Sequence, residues 1–328
     1  RMGTRPEVVV LGPDPPLRRT GGLARFYAEH PERRERYVTV SRGAASGVEL
    51  ALGLAREGKV PILVCEYPIQ LSEVHLRETG VNPVKIVEVR ECRTAGIRTT
   101  GDRAAVVVPC DAIEAERGLM EMMDAASCAL MRCAARLPSS ISGHATPYRS
   151  GVANVLRFRG NTHGRPSFDI CSADMYENEH EKICILGAGP VVASLMEAAA
   201  TLEERFGIET RVLEVHTLVP LDTTGIESAY RDTGAMIVLS DYLSEGLGEA
   251  VVRTILEVKE RGAELRLRIL DAAEAPTAAS CHGISGGTAG GGTGIGSKGG
   301  DGMGIDGKTA SPLSEMIVSE GIGLISDR

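Results

Sequence analysis

Tryptophan is absent from this chain, and only 4 phenylalanines and 7 tyrosines stand among its 328 residues. Whatever cores it builds must therefore be aliphatic. Any CxxC pair is missing too: the eight cysteines, at 65, 92, 110, 128, 133, 171, 184 and 281, show no metal-finger or redox spacing. Cys65 and Cys184 fall inside apolar runs, where a thiol behaves as a small hydrophobe, and reduced cytoplasmic cysteines are the default reading. No apolar run approaches the ~20 residues that cross a bilayer, and no secretory leader is read at the N-terminus. The expected location is the cytoplasm. Nor is there an excess of basic charge. Lys and Arg number 36 against 44 Asp and Glu, a formal net charge of -8, with a pI near 5.5. That balance argues against nucleic acid or an anionic membrane as a partner.

What is present is 43% apolar content, enough for large cores, and a length that suggests two domains. The most informative stretch is 182–222. Short β-branched runs at 183–186 and 212–215 flank Val192, Leu195, Met196, Ala199 and Leu202 at helical spacing, the pattern of a parallel βαβ crossover. Asp222 is the expected N-cap of the helix that follows. Upstream, strands read at 7–11, 37–40, 60–65, 84–89 and 104–108, alternating with helices near 23–30, 44–57, 69–79 and 111–136. A Pro/Ser/Gly-rich loop at 137–150, a last strand at 153–157 and a polar linker at 172–181 complete that half. Strands at 236–240 and 265–270, with helices near 223–233, 248–261 and 312–319, continue the second. The expected fold is α/β, two doubly wound domains with mainly parallel sheets, over 1–171 and 182–328. Residues 283–307 hold 13 glycines in 25 positions; ordering them costs backbone entropy that no burial offsets, so a mobile loop is expected.

Gly187-Ala188-Gly189 begins like a dinucleotide-binding GxGxxG, but the sixth position is Val192, not Gly or Ala. Glu214, 27 residues past Gly187, is far for a ribose carboxylate. An NAD module would also leave the first half unexplained.

Several blocks resemble the transketolase family in a common order. Phe26-Tyr27-Ala28-Glu29-His30-Pro31-Glu32-Arg33 is similar to FAE(K/R)FPER, and VELALGLAREGK at 48–59 to VGIAAGLALEGK. VVVPCDAIEA at 106–115 resembles VVVPADAVEA. Leu156-Arg157-Phe158-Arg159-Gly160-Asn161 resembles the Arg-containing strand that ends the pyrimidine-binding domain, and Asp241 to Ala250 the EEHxxxGGLGSAV block. The 182–222 stretch resembles the start of the transketolase C-terminal domain. The resemblance implies a pyrimidine-binding-like domain followed by that C-terminal domain. It also implies the absence of the N-terminal diphosphate-binding domain with its Gly-Asp-Gly…Asn metal motif; Gly300-Asp301-Gly302 lacks the Asn within ~30 residues and a preceding strand. The chain thus resembles the C-terminal subunit of a split thiamine-diphosphate enzyme. The implied partner is an N-terminal subunit in an α₂β₂ heterotetramer, carrying the ligands of Mg²⁺. The implied reaction moves a two-carbon ketol unit between sugar-phosphate-like molecules. The alternatives are a catalytically degenerate scaffold or regulatory subunit, and the β-chain of a 2-oxoacid dehydrogenase first component.

Within that resemblance the activating carboxylic acid of the family falls, by ungapped counting, on Ala44, with Ala45 next to it; the ring-stacking aromatic falls near Ile69. These two are the expected cofactor contacts. Three explanations are open: a relocated acid, a mechanism without one, or a degenerate subunit. For a relocated acid, Glu49 lies five residues after Ala44, about 140° past a full turn, and points elsewhere, whereas Glu66 closes a parallel strand, where ligands of such sheets gather. Glu66 is the catalytic candidate. Arg159 is the expected phosphate ligand, a task that suits a planar guanidinium, with His163 on the adjacent loop assisting. His216 ends a strand and is expected to be structural; His75 reads as a surface residue, and His144 lies in a loop.

Overall fold

The short β-branched runs do form the strands of two sheets. The computed structural model describes residues 5–13, 30–40, 44–66, 84–90, 104–125, 127–135, 137–138, 141, 146–162, 165–258, 265–274 and 311–326. The helices expected at 23–30 and 69–79, and the glycine-rich segment 283–307, lie outside these residues.

In the first half β1 (Val8–Gly12), β2 (Tyr37–Thr39), β3 (Val60–Cys65), β4 (Lys85–Arg90), β5 (Ala105–Val107) and β6 (Ala129–Ala134) alternate with α1 (Ala44–Arg56) and α2 (Ala112–Asp124). In the second, the hairpin β7 (Asn154–Thr162) and β8 (Arg165–Ser172) precedes β9 (Ile183–Gly187), α3 (Val192–Phe206), β10 (Thr210–Glu214), β11 (Thr217–Val219), α4 (Thr223–Thr233), β12 (Met236–Ser240), α5 (Leu247–Val258), β13 (Leu267–Asp271) and α6 (Pro312–Ser326). The sheets run β11-β5-β6-β4-β3-β1-β2 and β13-β12-β9-β10-β7-β8. Strands β1 to β6 pair in parallel, as do β9, β10, β12 and β13. Both sheets are thus mostly parallel with crossover helices, the α/β class expected.

Three elements depart from expectation. The helix expected over 111–136 ends at Asp124, and 129–134 becomes the strand between β4 and β5. Ala, Leu, Met and Arg there have good helical propensity. Burial decides instead, because Met131 and Cys133 complete a cluster with Val107 and Met122. Second, the strand expected at 153–157 to end the first domain opens a hairpin in the second sheet, antiparallel to β10 through Arg157–Arg211 and Asn154–Glu214 pairs. Third, β11 follows β10 in sequence yet pairs antiparallel with β5, in the first sheet.

That exchange joins the two units. One apolar cluster runs from Leu11 and Leu63 through Val106 and Val108 to Leu186 and Val238. The glycines of the dinucleotide-like turn serve this packing. Gly189 has φ +74°, and a Cβ there would lie 2.9 Å from Val108 Cγ1; one at Gly187 would lie 2.9 Å from Leu195 Cδ1 and 3.1 Å from the Leu239 carbonyl oxygen. Val192 at the sixth position is fully buried. Asp222 is the cap expected of it: its Oδ1 accepts from Gly225 N at 2.8 Å and its Oδ2 from Ala153 N at 2.8 Å.

Candidate functional site

Glu66 directly follows β3, at the carboxyl end of the first sheet, and is half-buried. Ala44 is the first residue of α1, so the helix start carries a methyl where the resemblance demands an acid. Glu49 is exposed. Ile69 and His163 lie outside the described residues. Arg159, on β7, sits in the second sheet and is 38% exposed along its side chain. Its Nε donates to Asp169 Oδ2 at 2.7 Å, and Nη1 and Nη2 donate to the two oxygens of Glu179 at 2.5 and 2.6 Å. Those carboxylates hold the guanidinium charged, above its ordinary pKa. Its fork is already engaged by two anions, so a phosphate would have to displace one of them. The structure therefore places Glu66 and Arg159 on different sheets rather than together.

Sequence reasoning passed over two buried polar knots, both where the two units meet. The first joins α2 to β10 and the segment after it. Glu114 is 2% exposed and Glu214 2%, with His216 at 0%. His216 Nδ1 faces Glu214 Oε2 at 3.4 Å and Glu114 Oε1 at 3.6 Å, while Nε2 contacts the Arg149 carbonyl oxygen at 3.2 Å. A carbonyl only accepts, so Nε2 carries hydrogen and Nδ1 is the nitrogen left for the carboxylates. Glu114 Oε2 accepts from Cys110 N at 2.6 Å, and Glu214 Oε2 from Asn154 Nδ2 at 3.0 Å. Burial, then the charge of Glu214, pushes the Glu114 pKa up to about 8. Burial alone would lower that of His216, yet Glu214 and Glu114 lift it to about 9. The Tyr148 ring lies 4.5 Å from the imidazole, and also lines a cleft of about 630 Å³ beside Glu116, Arg117 and Glu121.

The second knot closes the carboxyl ends of β4 and β6. Arg90 Nη2 donates to Glu88 Oε2 at 2.8 Å and Nη1 to the Tyr242 carbonyl oxygen at 3.1 Å. Arg132, fully buried, donates through Nη1 to the Leu243 carbonyl oxygen at 3.2 Å, and its Nε stands 4.0 Å from Glu88. Its Nε and Nη2 meet no hydrogen-bond partner among the described residues, and burial, then Arg90, pulls its pKa below the ordinary value. A buried guanidinium with unmet donors at the carboxyl end of a parallel sheet can receive an anion. The one available signal was an Arg within an apolar run, and reading 111–136 as a helix hid it.

An α/β chain with two mostly parallel sheets, whose second half carries the buried βαβ crossover and the capped helix behind it, falls into a recognisable class. Residues 175–282 match the model of the transketolase C-terminal domain, and the chain resembles the C-terminal section of the transketolase family. It shares its fold with a split-gene transketolase solved as an inactive beta4 tetramer, at TM-score 0.64 and 18% identity over 99% of this chain and 93% of that one. A transketolase family protein of Sinorhizobium fredii is 26% identical over 311 residues, 84% of this chain and 80% of its own length. Bovine transketolase-like protein 1 is 23% identical over 245 residues, 69% of this chain but 37% of that protein; the chain thus spans little more than a third of that longer relative. No helix among the described residues is long and apolar enough to cross a membrane.

Proposed function

We propose that this chain is the C-terminal subunit of a split, transketolase-like, thiamine-diphosphate-dependent transferase, acting in complex with an N-terminal diphosphate-binding subunit in an α₂β₂ assembly in the cytoplasm. The observation that supports the reading is the fold, shared with a split-gene transketolase chain over 99% of this chain and 93% of that one. In this reading the partner contributes the diphosphate side of the cofactor site, including the ligands of Mg²⁺. Two sections are proposed, a pyrimidine-binding-like one over 1–171 and a C-terminal-like one over 182–328, with strands exchanged as described above.

The described residues fit the aminopyrimidine side of the cofactor in part. Glu66 at the end of β3 is a carboxylate at the sheet edge where such ligands gather, and α1 begins at Ala44. Thiamine diphosphate, when bound, would supply the electron sink for carbon–carbon cleavage. In this reading Glu66 holds the proton at the pyrimidine ring, which Ala44 and Ile69 line. Arg159 and His163 receive the phosphate of a sugar-phosphate-like substrate, Arg159 on exchange of Glu179. Arg132, with its unmet donors, is a second cationic group for such an anion. The methyl of Ala44 in place of an acid favours one other reading, a subunit that scaffolds or regulates without catalysing.

The full chain, alone and co-purified with the diphosphate-binding subunit, tests this through thiamine-dependent ketol transfer. Turnover is expected only in the complex, and Glu66→Gln should lower it about 100-fold or more, the scale of a lost general acid or base. Turnover by the isolated chain would end the split-enzyme reading. Undiminished turnover in Glu66→Gln would remove the assignment of Glu66, and a complex that forms but never turns over would leave the scaffold.

A further inference from the structure

In the acid-rich knot, Cys110, Glu114 and Glu214 each present one ligand atom, all buried and within 4.8 Å of one another, and His216 Nδ1 lies 3.4 and 3.6 Å from the two carboxylates. We propose that Cys110 Sγ, Glu114, Glu214 and His216 Nδ1 form a structural site for a borderline-soft divalent cation, zinc above all, that fastens the first unit to the second.

Three observations converge on it. The donor set is one thiolate, one imidazole and two carboxylates, the mixture that zinc accepts in four-coordinate closed sites. Glu214 is 2% exposed, and while its Oε2 serves Asn154 and His216, its Oε1 has no partner among the described residues. A buried carboxylate oxygen without a donor is costly, and a cation removes the cost. The imidazole is oriented as a ligand: the Arg149 carbonyl oxygen accepts from Nε2–H, which leaves Nδ1, on the side of the carboxylates, as the nitrogen that exchanges its proton for a metal, the outer-shell arrangement usual for metal-bound histidine. Cys110 Sγ and one oxygen of each glutamate already cluster within 4.8 Å of one another; a tetrahedron with ordinary zinc bond lengths has edges of about 3.3–3.8 Å, so these three must draw together and His216 Nδ1, now against the two carboxylates, must turn toward the thiol.

With zinc bound, two carboxylates and one thiolate around a divalent ion leave the knot a single negative charge, beside which Asn154 Nδ2 donates to Glu214 Oε2 at 3.0 Å. On binding, zinc displaces the Cys110 thiol proton and any proton on Glu114 or His216 Nδ1 to solvent, and four metal–ligand bonds replace them. Tyr148 stands between the knot and solvent: its ring packs 4.5 Å from the imidazole and lines the cleft that also holds Glu116 and Glu121. The ligands come from the β5–α2 turn on one side and from β10 and the residues after it on the other. The ion would therefore bridge the units and leave the sheet edge at Glu66 untouched.

The full chain purified from zinc-supplemented culture and dialysed against metal-free buffer is expected to retain about one zinc per chain by mass spectrometry. Titrating the stripped protein with Co²⁺ should produce a thiolate-to-cobalt charge-transfer band in the near ultraviolet. Cys110→Ser should abolish the band, and Glu214→Gln should weaken zinc binding by at least about tenfold. Cys133→Ser, a buried thiol elsewhere, should change neither. Metal binding should also raise the thermal midpoint of the wild type but not of Cys110→Ser. Should Cys110→Ser fail to fold, the wild-type spectrum decides alone. A cobalt spectrum lacking the thiolate band, no zinc retained above buffer, or equal zinc in folded Cys110→Ser would each overturn the site.

Discussion

Two buried polar knots hold the units of this molecule together, and they carry opposite imbalances. In one, Glu114 and Glu214 set two carboxylates against the single imidazole of His216. In the other, Arg90 and Arg132 set two guanidiniums against Glu88. Both are nearly inaccessible to water, where an unbalanced charge is costly. They relieve it differently. A carboxylate can take up a proton, and Glu114 is lifted to about 8 so that it does. A guanidinium cannot give up its proton at ordinary pH, so Arg90 and Arg132 turn to backbone carbonyls at Tyr242 and Leu243. The acid-rich knot adapts by titration or by a cation. The base-rich knot is fixed in charge, and only geometry or an anion can satisfy it.

The sharpest way to break this contrast is to remove Glu88, the acid that pairs with both guanidiniums among the described residues. Glu88→Gln keeps an oxygen that can accept from Arg90 but takes the paired carboxylate from two buried cations, leaving Arg132 the more distant charge of Glu245. Breaking a buried ion pair on one side costs about 3–5 kcal/mol. A large drop in the urea midpoint is expected; a shift below about 1 kcal/mol would show that the carbonyls alone suffice.

A smaller effect should come from Lys85, on the same strand as Glu88 and Arg90 and satisfied by carbonyls only. It is fully buried and donates to the Ala125 and Ser127 carbonyl oxygens at 2.8 and 2.7 Å. Burial lowers its pKa to about 8, against about 10.4 in an unfolded chain. Between those values the unfolded state binds more protons than the native one, so stability rises with pH across that window. The gain is of the order of 1–2 kcal/mol after allowance for partial solvation. Lys85→Met should remove the rise, seen as the difference between the two proteins' denaturation midpoints at pH 8 and pH 10. An identical pH dependence in both would show that Lys85 keeps its ordinary proton affinity when folded.

How much of this was legible beforehand follows from the range of the interactions. The βαβ crossover at 183–215 and the Asp222 cap are local, and the residues that make them are neighbours in sequence. Strand β6 was misread because its residues favour a helix while the sheet's need for a member between β4 and β5 is non-local. Strand β11 is three residues long and pairs with β5, more than a hundred positions earlier; no local pattern announces it. The knots were hidden for the same reason. Glu114 and His216 stand about a hundred residues apart, and Arg132 meets Leu243 only because a loop of the second unit folds over the first. Glu66 and Arg159 were legible as types of residue at strand positions. What surrounds Arg159 was not, since Asp169 and Glu179 reach it across a hairpin that the sequence reading had not drawn.

The gentlest test is the chemical change applied to Glu88, repeated at Glu114. Glu114 is in the acid-rich knot, and in metal-free protein at pH 7 its raised pKa leaves it mostly protonated. A glutamine there is close in shape to the neutral acid. Its carbonyl oxygen can still accept from Cys110 N, as Oε2 does now at 2.6 Å, and its amide can donate toward Glu214. No buried counter-charge is stranded, because His216 retains Glu214 at 3.4 Å. Glu114→Gln should therefore leave the urea midpoint within about 1 kcal/mol of wild type when chelator is present, on the same scale on which Glu88→Gln loses several. The two substitutions are chemically identical and both sites are buried where the units meet, so a difference between them isolates the sign of the surrounding charge. Equal losses at both positions would mean that Glu114 works as an ionised partner of His216, and that the acid-rich knot is as fixed in charge as the base-rich one.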